Sequence, residues 1–106
     1  MSNDLKSHVQ SIAKKLTLGF NEDDVIDGEP MSAFDYLQDA LDIEYIVNNK
    51  SEYLGARVLV AFGGPNIWVN TRTSTVEGAW WSARAEASFA DNIGLDDALS
   101  ELWACR

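Results

Sequence analysis

Carboxylates are the side chains best able to do chemistry in this chain, and most of them lie in one stretch. The 106-residue sequence has a net charge of −9. Residues 21–52 contain one base, Lys50, and ten carboxylates: Glu22, Asp23, Asp24, Asp27, Glu29, Asp35, Asp39, Asp42, Glu44 and Glu52. The rest of the chain is neutral. Because net charge affects partners and solubility rather than fold, this stretch predicts either a basic partner or a well-solvated face.

Other catalytic groups are scarce. The sequence has one histidine, His8, and one cysteine, Cys105. We expect both to be ordinary surface residues, because His8 has no partner nearby in sequence and a thiol at the penultimate position lacks an enclosing site. One histidine and one cysteine alone do not build a zinc site. We therefore expect a protein that is not an enzyme and that uses no cofactor and no metal.

Two loops were tested against known ligand-binding spacings. If a calcium loop started at Asp23, its third position would be Val25 and its twelfth Phe34, which breaks the EF-hand pattern. The turn at residues 63–65 is too short to cradle a phosphate and lacks the lysine that follows in such loops. Neither loop predicts a ligand site.

The spacing of three aspartates is more informative. Asp35, Asp39 and Asp42 lie at i, i+4 and i+7, which places them on one face of a predicted second helix. Like charges at this spacing destabilise a helix by a few tenths of a kcal/mol per pair, and no base four residues away relieves them. The row predicts either a substitute for phosphates in a basic groove or a solvated face.

The tryptophans give a second signal. If residues 71–74 form a hairpin loop, Val69 pairs with Val76, and side chains alternate between two faces. One face then carries Ile67, Val69, Val76, Gly78 and Trp80, and the other carries Trp68, Asn70, Thr75, Glu77, Ala79 and Trp81. Trp68 and Trp81 are either exposed anchors for a partner or lie beneath a helix or loop.

These residues need a scaffold, and the chain has the length of one domain, residues 1–106. Hydrophobic periodicity predicts helices at 4–18, 32–42 and 95–103, and strands at 43–47, 55–62, 66–70 and 75–81. Ser32 followed by Asp35 resembles a capping box. The predicted fold class is α+β, an antiparallel meander of about four strands flanked by two N-terminal helices and one C-terminal helix. With a single cysteine and no signal-like or membrane-spanning run, we expect a cytoplasmic protein.

Part of the sequence resembles a known pattern. Residues 61–71, AFGGPNIWVNT, and residues 76–81, VEGAWW, are similar to a hairpin pattern of small proteins from phages, prophages and plasmids, to which no catalytic role is assigned. In its small size, acidity and lack of catalytic groups, though not in any sequence motif, the chain also resembles anti-CRISPR and anti-restriction inhibitors. Several of those inhibitors use acidic surfaces to occupy nucleic-acid-binding sites.

The sequence and the resemblance together lead to an expected function. We expect a non-catalytic acidic inhibitor from a mobile genetic element, a nucleic-acid mimic that binds a basic host defence protein such as a CRISPR effector. The acidic loop at 22–29 and the three aspartates would supply the charge, and Trp68 and Trp81 the anchors. The alternative is an immunity protein or antitoxin that neutralises a toxin. We expect no direct binding to nucleic acid or membrane, and either a monomer or a homodimer.

Overall fold

The computed structural model describes the backbone of residues 2–19, 25–26, 29–30 and 32–106, and the side chains of residues 5–19 and 32–106. Its three helices are α1 (Ser2–Leu18), α2 (Ala33–Gln38) and α3 (Leu95–Ala104). Its strands are β1 (Val25–Ile26), β2 (Glu29–Pro30), β3 (Asp42–Val47), β4 (Tyr53–Ala61), β5 (Asn66–Asn70), β6 (Thr75–Trp80) and β7 (Ala83–Ser88). No helix in these ranges has the length and apolar character needed to cross a lipid bilayer.

The main sheet is an antiparallel meander of five strands in the order β3-β4-β5-β6-β7, and β1 and β2 form a separate short pair. The α+β prediction is therefore confirmed, with five strands rather than about four. The additional strand is β7, which sequence periodicity left unassigned. It pairs with β6 across the two-residue turn at Trp81 and Ser82.

One face of this sheet, which we call the inner face, forms the core with the helices. Val58, Val69 and Val76 stand opposite one another on successive strands and are fully buried. The predicted face that contains Ile67, Val69, Val76 and Gly78 is confirmed as this inner face. The helices contribute the fully buried leucines of the core: Leu5, Leu16, Leu95 and Leu99.

Helix α1 packs on β6 and β7, and its side chains approach the strand backbone closely at Gly78. A Cβ atom added to Gly78 would lie 2.6 Å from Val9 Cγ2 and 2.9 Å from Leu5 Cδ1. The missing side chain is therefore what allows these two residues to rest on the strand backbone. Alanines in β7 continue the flat surface beside Gly78: Ala83, Ala85 and Ala87.

Helix α3 covers β4 and contacts α2. Its N-cap is Gly94, which has no side chain, and the carboxylate of Asp91 instead accepts hydrogen bonds from the N–H groups of Leu95 and Asp96, both at 2.8 Å. The Tyr53 hydroxyl donates to Asp96 Oδ1 at 2.7 Å. Burial first, and this hydrogen bond second, raise the pKa of Tyr53 above its ordinary value.

Helix α2 begins as the sequence predicts but ends early. Ser32 and Asp35 form the predicted capping box, since the Asp35 N–H donates to Ser32 Oγ at 3.2 Å and the Ser32 N–H donates to Asp35 Oδ2 at 2.9 Å. The prediction that this helix continues to residue 42 is wrong, because it ends at Gln38. The Leu41 N–H donates to the carbonyl of Leu59 at 2.9 Å, so the chain joins the sheet instead.

Candidate functional site

The face of the sheet opposite the helices, which we call the outer face, carries most of the polar side chains of the strands. Strand register aligns five side chains across all five strands there, and we call them the cross-strand row: Asp42, Leu59, Trp68, Glu77 and Glu86. Neighbouring strands lie about 4.8 Å apart, so the row is roughly 19 Å long. Three of its five members are carboxylates fixed on a rigid scaffold.

At the centre of the row, Trp68 already binds a cation. The guanidinium carbon of Arg57 lies 4.3 Å from the centroid of the Trp68 ring. Arg57 Nη1 also donates to Glu44 Oε1 at 2.9 Å, which orients the guanidinium over the ring. A cation over an indole face is attracted by the quadrupole of the ring. The tryptophan is therefore half-buried, and its own arginine covers one face of the ring.

The two glutamates of the row stand directly opposite each other. Glu77 on β6 pairs in register with Glu86 on β7. Like charges directly opposite on a sheet are destabilising by some tenths of a kcal/mol. Within the described part of the chain, neither carboxylate forms a salt bridge. The protein thus carries two like charges opposite each other on this face.

A shallow cavity of about 530 Å³ opens between these side chains. Its polar lining includes Arg57, Trp68, Glu77, Arg84 and Glu86. The floor is the sheet itself and the walls are long side chains, so the cavity is a depression rather than an enclosed pocket. This shape suits side chains projecting from another macromolecule.

The structure separates the three aspartates that the sequence placed on one helix face. Asp35 accepts hydrogen bonds from Ser32 at the start of α2. Asp39 is the C-cap of α2 and lines a crevice of about 330 Å³ beside α1, together with His8 and Lys15. Only Asp42 lies on the outer face. The predicted helical row is wrong because α2 ends before Asp39.

The two candidate tryptophan anchors are also separated. Trp68 lies in the cross-strand row, whereas Trp81 lies in the turn between β6 and β7 and is 86% exposed. The prediction that both share one face is wrong for Trp81. Its φ angle of 58° lies in the left-handed region, which is uncommon for a bulky side chain.

Most of the predicted acidic loop lies outside the described residues: Glu22, Asp23, Asp24 and Asp27. Glu29 pairs through its backbone with Ile26 in the β1-β2 pair, and its side chain is outside the described set. The charged face that the structure does describe is therefore the outer face of the sheet.

Sequence reasoning missed several residues of this face: Glu44, Arg57, Arg84 and Glu86. A signal for the last two existed in the strict alternation of alanine with polar residues from Ala83 to Ser88, which has the period of a half-buried strand.

The other groups considered from the sequence lie apart from this face. His8 and Cys105 are both exposed. Within the residues that the structure describes, no three His, Cys, Asp or Glu side chains are grouped to hold a metal ion. Comparisons of the chain with protein-family models, with curated proteins and with solved structures gave no match.

Proposed function

We propose that this protein is a non-catalytic inhibitor that binds a basic, nucleic-acid-handling protein through the outer face of its sheet. The observation that carries this proposal is the cross-strand row, in which Trp68 lies between Leu59 and Glu77 and which has carboxylates at both ends, on a face opposite all helices packed on the sheet.

The chemistry of the row favours a basic partner. The contact of Arg57 with Trp68 supports this, since an incoming arginine or lysine that makes the same kind of contact with the ring would lie one strand away from Glu77. Proteins that bind nucleic acids present such side chains in rows. Because strand pairing fixes the backbone spacing of the row, only its side chains need to be ordered on binding.

What supports this class of partner is the resemblance in small size, acidity and lack of catalytic groups to anti-CRISPR and anti-restriction inhibitors. We propose a CRISPR effector or another host defence nuclease, whose nucleic-acid groove the acidic face would occupy. The masking of such a groove requires no catalytic group on the inhibitor.

The experiment is an inhibition assay with a panel of RNA-guided nucleases and nuclease toxins, in which DNA cleavage is followed with increasing amounts of this protein. The test variant combines Asp42→Asn with Glu77→Gln. The control combines Glu52→Gln with Glu101→Gln, which makes the same change in charge at exposed positions off the row. We expect the test variant to weaken inhibition at least tenfold, because two charge-assisted contacts are lost, and the control to inhibit normally.

Equal inhibition by both variants would contradict the assignment of the outer face. Inhibition of a toxin but of no RNA-guided nuclease would instead establish the immunity-protein alternative. Association should also slow as ionic strength rises above roughly 0.15 M, because long-range attraction is screened.

Direct binding to nucleic acid gives an independent check. We expect no affinity for DNA or RNA at physiological salt, since the protein is acidic and its few basic residues do not form a patch in sequence. A gel shift at micromolar protein would rule out mimicry.

A further inference from the structure

Within the described part of the chain, one edge of the five-stranded sheet has neither a bulge nor a proline to keep it from pairing with other chains. β7 pairs with β6 over six residues without a register shift, and it contains no proline. The opposite edge strand, β3, has a shift between Ile46 and Val47 and two carboxylates, Asp42 and Glu44. Because bulges, prolines and repelling charges are what protect exposed edges, β7 is the edge open to pairing.

The backbone geometry identifies the free groups of β7. Trp80 and Ala83 pair across the two-residue turn, and the Phe89 N–H donates to the carbonyl of Ser74 at 3.0 Å. In an antiparallel ladder, residues that bond to one neighbouring strand alternate with residues that face away from it. The odd-numbered residues of β7 therefore bond to β6. The free edge carries the N–H and C=O groups of the others: Arg84, Glu86 and Ser88.

We propose that two copies of this chain associate through antiparallel pairing of β7 with β7, about a two-fold axis at Ala85. In this register Arg84 lies opposite Glu86 of the second copy, and Glu86 lies opposite Arg84. The free N–H and C=O groups of the same two residues form the ladder between the copies. Such a self-complementary contact is what a two-fold axis requires.

The pairing also relieves the repulsion found in the single chain. Glu86 faces Glu77 on β6, and in the dimer its other neighbour is a guanidinium from the second copy. β3 does not offer this arrangement, because pairing about Ile43 would set Asp42 against Glu44. The charges of the sheet thus favour self-association at one edge and oppose it at the other.

The same register accounts for exposed apolar side chains at the two ends of β7. Trp81 is 86% exposed and Leu18 is 71% exposed. Leu18 lines a groove of about 310 Å³ between α1 and β7, together with Ala87. Antiparallel pairing about Ala85 brings the turn that contains Trp81 of the second copy to the end of β7 that borders this groove.

Two of the carboxylates that contribute to the net charge of −9 lie too far from this contact to oppose it. The described carboxylates Asp42 and Glu44 lie on β3, roughly 19 Å from β7 across the sheet. That separation exceeds the Debye length of about 8 Å at physiological ionic strength. The inference rests on the β7 edge alone and does not depend on the proposed partner.

The test is sedimentation equilibrium of the full chain from about 10 μM to about 1 mM, the range in which a small polar interface forms. We expect reversible dimerisation. Arg84→Glu and Glu86→Arg should each weaken the dimer at least tenfold, because each converts two attractive pairs into two repulsive ones. The double exchange, Arg84→Glu with Glu86→Arg, should restore it.

The two single variants distinguish local pairing between the β7 strands from an effect of the overall charge of the chain. Arg84→Glu makes the chain more acidic and Glu86→Arg makes it less acidic, so general repulsion would move the two variants in opposite directions. If they do move in opposite directions, or if the chain is monomeric at about 1 mM, the proposal is overturned.

Hydrogen exchange of the unmodified chain gives a readout that needs no variant. The amides of Arg84 and Glu86 should become protected as concentration rises, whereas those of Ala85 and Ala87 should be protected throughout. Fast exchange at Arg84 and Glu86 in a dimeric sample would place the contact elsewhere and refute pairing through β7.

Discussion

The two faces of the sheet are built from alternate residues of the same strands, yet they have opposite characters. On β5, Ile67 is fully buried among helices while its neighbour Trp68 faces the open side. On β6, Val76 is fully buried while Glu77 opposes another glutamate. The inner face therefore supplies the stability, and the outer face is free to keep charges that cost stability.

This division is possible because the free energy gained by burying an apolar side chain is larger than the free energy lost to a repulsive surface charge pair. Burying a large apolar side chain contributes about 1.5–3 kcal/mol, whereas an unfavourable cross-strand charge pair costs well under about 1 kcal/mol. A core that includes Ile67, Val69 and Val76 therefore tolerates several repulsive contacts on the other side of the same strands.

The largest difference should appear between adjacent residues on opposite faces. Ile67→Ala should lower the free energy of unfolding by about 2–5 kcal/mol, through lost burial and a cavity in the core. Trp68→Ala should cost about 1–2 kcal/mol, because the ring is half-buried and contributes mainly its contact with Arg57. Urea denaturation measures both values. Equal losses would mean that the outer face is as important to stability as the core.

A smaller loss should follow from filling the contact between α1 and the sheet. Gly78→Ala places a methyl group against Val9 and Leu5 and should destabilise the protein by about 1–3 kcal/mol through overpacking. Gly64→Ala is the control, since a Cβ there meets no heavy atom within 4 Å. If the two variants melt at the same temperature, α1 does not rest on β6 as closely as described.

A gain of stability should come from repairing the outer face. Glu77→Lys replaces the repulsion with Glu86 by an attraction and should raise the free energy of unfolding by about 0.5 kcal/mol. The gain should disappear at about 1 M salt, where the Debye length is about 3 Å. Under the proposed function the same variant should lose inhibition. A neutral or destabilising effect at low salt would show that Glu77 and Glu86 do not repel.

The last effect appears only in alkaline solution, and it arises from tyrosines near the core. Burial raises the pKa of Tyr36 from 10.0 to about 12, and the pKa of Tyr53 is raised as well. Because the folded-state values exceed the unfolded ones, this contribution to stability is complete below about pH 10 and is lost as pH rises through the folded values. Tyrosinate absorbance should show delayed ionisation, with unfolding promoted above about pH 10. Ordinary titration of every tyrosine in the folded protein would contradict this.

Features set by neighbours in sequence could be predicted without the structure. The capping box of Ser32 and Asp35 is local, since it joins residues three apart. The β5-β6 hairpin is also local, and its alternation of Ile67 and Val69 with Trp68 assigned these side chains to their faces. The overall α+β class followed from the same short-range periodicities.

Long-range pairing decided the rest. Residues 39–42 continue a helical pattern in the sequence. In the structure the Leu41 N–H donates to the carbonyl of Leu59, so this segment joins the sheet and the three aspartates do not share a helix face. Alanine-rich β7 has weak intrinsic preference for a strand, and it forms because β6 supplies its hydrogen bonds and α1 covers its small side chains. The cross-strand row exists only through register between distant segments. The sequence determined which side chains were available, and tertiary pairing determined which of them meet, because backbone hydrogen bonds between strands outweigh the weak local preferences of short segments.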